Sequence, residues 1–166
     1  MTMTPEMGRA LAALTTGIYV LTVREGTLRH GMSSSWVTQV SGAPPLLSAA
    51  LDRRHQTHAI VERTGWFALN VVGHTSRTLE DYFFSSAAQR PHNLDELDWQ
   101  DSPTGLPFLR DAFVNLECRV CDRMTAGDHT IFVASVESVR HGGTDRALTS
   151  LDLEYVYVGT VIKRQP

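Results

Sequence analysis

The order of short β-rich runs is the feature that most restricts this chain. Six or seven of them follow one another with turn signals between, and only two or three short helical stretches interrupt them. The repeating strand, helix, strand pattern that a parallel sheet requires is therefore missing. What remains is an antiparallel sheet, and closing it into a barrel is the natural way to remove its edges. With 166 residues the chain has one sizeable core available, because roughly 70% of the unfolded surface is buried at that length. No internal repeat or linker divides it, so residues 1–166 are expected to form a single domain.

Strands are expected over residues 17–23, 32–40, 46–51, 66–72, 112–121, 130–139 and 153–162, with Glu25-Gly26, Pro44-Pro45, Gly127-Asp128 and Gly142-Gly143 as punctuation. Helices are expected over residues 5–14, with Thr4 as cap and Pro5 in the first turn, over residues 56–63 before a stop at Gly65, and over residues 76–84. Residues 85–109 are polar and broken by Pro91, Pro103, Gly105 and Pro107. Connections of this length usually have a task, so a mobile lid or a dimer arm is expected there.

Charge and hydropathy exclude several classes. The formal net charge is −3, and the basic residues are scattered rather than clustered, which argues against a nucleic-acid partner. No run approaches the roughly 18 to 20 apolar residues of a membrane span, and the N-terminus lacks a basic-then-apolar leader pattern, so a cytoplasmic protein is expected. Cys118 and Cys121 have CxxC spacing, yet Val114, Leu116, Cys118 and Val120 alternate with polar residues. That period places the two sulfurs on opposite faces of a strand, as packing residues rather than a redox pair.

Three constellations could carry chemistry. Met32-Ser33-Ser34-Ser35-Trp36 puts three hydroxyls in an expected strand, where serine is disfavoured. Either small side chains let the backbone approach a flat ligand there, or this is a solvated edge. Asp52-Arg53-Arg54-His55-Gln56-Thr57-His58 lies between a strand end and a helix start. It is either an anion site built from free amides and arginine, or a capped helix with arginines in water. Gly127-Asp128-His129-Thr130 presents a histidine at a strand start, available for hydrogen bonding or proton chemistry, or simply at the surface. No cluster at metal-ligand spacing is seen, no GxSxG elbow surrounds any serine, and GxGxxG is absent.

Taken in order, the stretches LTTGIYVLT, HGMSSSWVTQVSGAPPLLSAALDRRHQTHAIVERTGWFALNVV, PTGLPFL, LECRV and GDHTIFVASV resemble the short-chain NAD(P)H:flavin oxidoreductase family, the flavin-reductase-like, FMN-binding split-barrel proteins. The resemblance implies a mainly β fold, a six-stranded antiparallel Greek-key split β-barrel with a few short helices, assembled as a homodimer. It implies FMN or FAD as cofactor and NADH or NADPH as co-substrate. By the family's pattern, Met32, Ser33, Ser34 and Ser35 line the isoalloxazine and ribityl chain, Ala50, Leu51 and Asp52 continue that wall, and Arg54, Gln56 and Thr57 surround the phosphate. His129 stands by the nicotinamide or flavin face as the catalytic candidate. The implied reaction is hydride transfer from the nicotinamide to flavin N5, with reduced flavin passing to a partner monooxygenase. Ser33 to Gln39 look closer to the flavoredoxin-like and diflavin branch, which implies as alternative an FMN-binding electron-transfer module. Reuse of the barrel for another ligand, such as haem, is a third reading.

Overall fold

A computed structural model describes residues 3–85, 87–90 and 93–164. After α1 (Pro5–Leu11) come β1 (Tyr19–Glu25), β2 (Leu28–Ser34), β3 (Val37–Gly42) and β4 (Pro45–Asp52), then α2 (Gln56–Thr64), β5 (Trp66–Val71) and α3 (Arg77–Phe84). The chain continues through β6 (Trp99–Asp101), β7 (Pro107–Leu109), β8 (Val114–Ala126), β9 (His129–His141), β10 (Tyr155–Tyr157) and β11 (Val161–Lys163). Seven strands form one antiparallel sheet in the order β2-β1-β5-β8-β9-β4-β3, while β6 with β7 and β10 with β11 make two small ribbons.

The sheet thus has seven strands where the resemblance implied six: the run over residues 32–40 is two strands, and residues 153–162 stay outside the sheet. β2 ends at Ser34 and β3 begins at Val37. Ser-Ser-Ser-Trp is compatible with continuous strand in its alternation, so periodicity alone does not reveal the break. These two strands are the opposite edges of the sheet, yet only Ser35 and Trp36 join them. A connection that short makes the sheet curl until its edges meet at that point.

β1 is buried on both faces, which is why it reads as an unbroken apolar run. Leu21 and Val23 point into an inner core with Leu51, Ile60, Phe67, Leu69 and Phe132, and Val20 faces an outer cluster with Leu79, Phe83, Leu94, Leu109 and Leu153. α2 covers the inner core with Thr57, His58, Ile60 and Val61, and stops at Gly65, whose φ of 73° an L side chain rarely adopts. α3 lies on β2 because Gly31 has no side chain: a Cβ there would stand 2.8 Å from the Phe83 ring.

Three further expectations change. Residues 153–162 are not one strand, because the chain reverses at Gly159 (φ 95°) between β10 and β11. The first helix stops at Leu11 rather than Leu14. The connection over residues 85–109 is anchored along its second half. Thr22 Oγ1 donates to Pro107 O at 2.5 Å, Leu109 N donates to Asn70 Oδ1 at 2.9 Å, and Leu106, Phe108 and Leu109 are buried. Buried, hydrogen-bonded backbone is the opposite of a free lid. Pro91 lies outside the described residues. Cys118 is fully buried and Cys121 exposed, as the alternation requires. No helix among the described residues is long and apolar enough to cross a membrane.

Candidate active site

Where the sheet edges meet, a cleft of about 400 Å³ opens, a volume within the usual range for small-molecule sites. Met32, Ser33, Ser34, Ser35 and Trp36 form one side. Ala50 and Asp52 at the end of β4, His55, and His129 at the start of β9 line it as well, with the His129 ring against Trp36. Glu80 and Phe83 of α3, Arg90, and Tyr155 and Tyr157 of β10 complete it. The pairing of β4 with β9 sets Asp52 opposite His129 in the sheet, so two segments far apart in sequence reach the cleft side by side.

His129 is almost fully buried, and its ring lies 4.6 Å from that of Trp36, which in turn lies 5.6 Å from Tyr157. Its Nδ1 is 2.6 Å from Asp128 Oδ1, and that bond holds the Asp128 carboxyl below its ordinary pKa. An ionised carboxylate only accepts, so Nδ1 carries the proton and Nε2 is the nitrogen left for a ligand. The three rings, each tilted about 40° to the next, make an aromatic wall with one polar tip.

Asp52 is nearly buried and accepts from Arg54 N at 2.8 Å, Nε at 3.1 Å and Nη2 at 2.6 Å. The side-chain bond from Arg54 holds Asp52 well below the usual carboxylate range. Arg54 is folded back onto the carboxylate while its side chain stays 81% exposed. It stands at the rim, not in the wall. Gln56 opens α2 and is exposed, Leu51 is fully buried in the inner core, and Thr57 is buried with its Oγ1 3.2 Å from His30 Nδ1. Of the eleven residues expected at the site, Met32, Ser33, Ser34, Ser35, Ala50, Asp52 and His129 reach the cleft, whereas Leu51, Arg54, Gln56 and Thr57 do not line it.

Several residues of the cleft were not anticipated, among them Glu80 and Arg90. Glu80 is buried and accepts from Ser33 Oγ at 2.6 Å and from Tyr155 OH at 3.0 Å, and burial pushes its carboxyl above the ordinary value. Its sequence signal is a carboxylate between Leu79 and Phe83, the apolar positions by which α3 packs. Nothing in the local sequence marks Arg90.

A model of the flavin reductase like domain matches residues 10–159. The chain belongs to the flavin-reductase-like family. Among relatives of this flavin-reductase-like protein, the FMN reductase (NADH) RutF of Methylorubrum extorquens is 27% identical over 146 residues, covering 88% of this chain and 71% of that one. Diflavin flavoprotein A 1 of Synechocystis sp. is 26% identical over 136 residues, covering 81% of this chain but only 24% of that larger protein. The structure of the styrene monooxygenase flavin reductase (SMOB) from Pseudomonas putida S12 superposes with a TM-score of 0.71 at 26% identity, over 81% of this chain and 85% of that one.

Proposed function

We propose that this protein binds FMN or FAD in the cleft, reduces it with NADH, and supplies the reduced flavin to a partner monooxygenase. One observation carries the reading: the serine-bearing end of β2, the end of β4 and His129 converge on a single slot in a chain that matches the family over residues 10–159. The slot suits a flavin in size and in chemistry, with an aromatic wall from Trp36 and His129, and hydroxyls and amides from Ser33, Ser34 and Ser35 at its edge.

The bound cofactors would supply the hydride chemistry, donor nicotinamide to acceptor flavin. The residues of the chain orient and shield. Ser34 and Ser35 offer small donors where bulky side chains would block a ring. Trp36, Tyr157 and His129 exclude water from one side. Asp128 fixes the His129 ring, leaving Nε2 to hold a polar group of the ligand. Glu80 fixes the Ser33 hydroxyl by accepting its hydrogen bond. A homodimer belongs to the same proposal, supported by Val40 on edge strand β3 and Met124 on β8, both exposed. So does a reducing, cytoplasmic setting, supported by two free cysteines.

The test is to mix purified protein with NADH and FMN or FAD and follow the nicotinamide absorbance. Flavin-dependent NADH consumption is expected, and no consumption with any of these pairs overturns the proposal. The diflavin relative favours a second reading, a module that keeps its FMN and takes electrons from another protein. Tight yellow FMN with negligible NADH oxidation would decide for it.

A further inference from the structure

Among the described residues, the Arg90 side chain has no counter-charge. It is 8% exposed and lines the cleft, with its guanidinium 4.9 Å above the Phe83 ring and 5.6 Å from that of Tyr82. Nε and Nη2 share one acceptor, Ser85 O, each at 3.2 Å, and Nη1 is buried with no hydrogen-bond partner among the described residues. No carboxylate among the described residues pairs with it. A guanidinium removed from water is normally paired, because desolvation is costly unless an anion compensates it.

The two carboxylates of the cleft cannot serve. Asp52 is taken by Arg54, and Glu80 by Ser33 and Tyr155. Further positive character lies along the same cleft. His55 is the N-cap of α2, makes no side-chain capping bond, and no acidic residue stands in the first turn, so the positive end of the helix is uncompensated. His30 also lines the cleft and feels both Arg90 and His55, which together with burial disfavour its charged form. The Arg90 guanidinium, the open end of α2 with His55, and the His30 ring, from three separate segments, therefore line one space.

We propose that Arg90 binds a phosphate group of the nucleotide held in the cleft, with the open N-terminus of α2 and His55 across from it. The planar fork of the guanidinium suits two oxygens of a phosphate, and the exposed Arg54 is already engaged with Asp52. The inference rests on the flavin-reductase reading, and its source of phosphate is FMN, FAD or the nicotinamide dinucleotide.

Dissociation constants for riboflavin, FMN and FAD, measured by flavin fluorescence without nicotinamide, and the KM for NADH separate these cases in the wild type, Arg90→Met and Arg90→Lys. If the flavin phosphate is the ligand, Arg90→Met weakens FMN and FAD by about ten- to hundredfold while riboflavin is unchanged, and Arg90→Lys restores part of the loss. If the dinucleotide phosphate is the ligand, flavin binding holds and the KM for NADH rises by a similar factor. Wild-type ratios of FMN to riboflavin affinity together with a wild-type KM, in either variant, overturn the inference. Should Arg90→Met fail to fold, Arg90→Lys still decides: an unchanged ratio and KM count against it, and a severalfold loss confined to phosphate-bearing ligands counts for it. A wild type that binds riboflavin and FMN with unequal affinity keeps the functional reading intact whatever Arg90 does, whereas a wild type that binds no flavin ends that reading first.

Discussion

Glu117 and Glu80 are both shut off from solvent, 2% and 3% exposed, and behave oppositely. Glu117, on β8, accepts from Ser102 Oγ, from Thr104 N at 3.0 Å and Oγ1 at 2.6 Å, and from Ser138 Oγ at 3.0 Å. Burial pushes its carboxyl up, but the hydrogen bonds together outweigh it and leave the pKa below the ordinary value. Glu80 has donors only in Ser33 and Tyr155, and burial wins. Glu117 gathers more donors and lies nearer the surface than Glu80, and the two differences together set the charge state. Glu117 is a permanent anion that pins residues 102–104 to the sheet. Glu80 sits in the cleft with its protonated form favoured by burial.

The comparison breaks most visibly at Glu117. Glu117→Ala strands four donors at once and is expected to cost about 3 kcal/mol, lowering Tm by roughly 6 to 12 °C. Calorimetry checks it, and a shift under 2 °C would show that water replaces the carboxylate. The pH dependence has a definite sign. With its folded pKa depressed, Glu117 contributes stability above its unfolded value, about 4.3, and that contribution is lost as pH falls through the folded value.

Glu80 should show the reverse at smaller amplitude. Its folded pKa is raised, so its charged form weakens the fold above that pKa and the cost is relieved as pH falls through it. Glu80→Gln is therefore expected to lie within about 1 kcal/mol of wild type at pH 7, with the balance moving in favour of wild type toward pH 5. Urea unfolding at pH 8 and pH 5 measures the difference. Parallel pH profiles for the two proteins would contradict the assignment.

Cys118 extends the series to a buried acid that no donor stabilises. Burial, helped by the Glu117 and Glu137 charges, pushes its thiol up to about 12, and a thiol held protonated is inert. Native protein should react with one equivalent of a thiol reagent, at exposed Cys121, and with a second only after denaturation. Two fast equivalents would mean that β8 opens readily.

The fold was legible wherever local chemistry decides it. The turn at Gly127-Asp128, the stop at Gly65 and the opposed faces of Cys118 and Cys121 follow from period and turn residues. The break at Ser35-Trp36 did not show, because it is set by where two sheet edges must meet. The serine stretch, Asp52 and His129 were readable as a site through the ordered resemblance. Thr57 and Leu51 were not separable from it, because adjacent residues on a strand or helix point to different faces. Glu80 and Arg90 escaped because their meaning lies in what they lack among the described residues: enough donors for one, a counter-charge for the other.

The most direct test of the cleft as the flavin-reducing site is to fill it. Ser35 lies at the junction of β2 and β3, half-buried and lining the cleft, outside any strand. FMN titration and flavin-dependent NADH oxidation are compared between wild type and Ser35→Phe, with circular dichroism to confirm folding. The folded variant is expected to lose at least tenfold in FMN affinity, as blocking one good contact requires, and to lose NADH oxidation with it. A folded Ser35→Phe protein that binds FMN and consumes NADH like wild type would place the chemistry elsewhere.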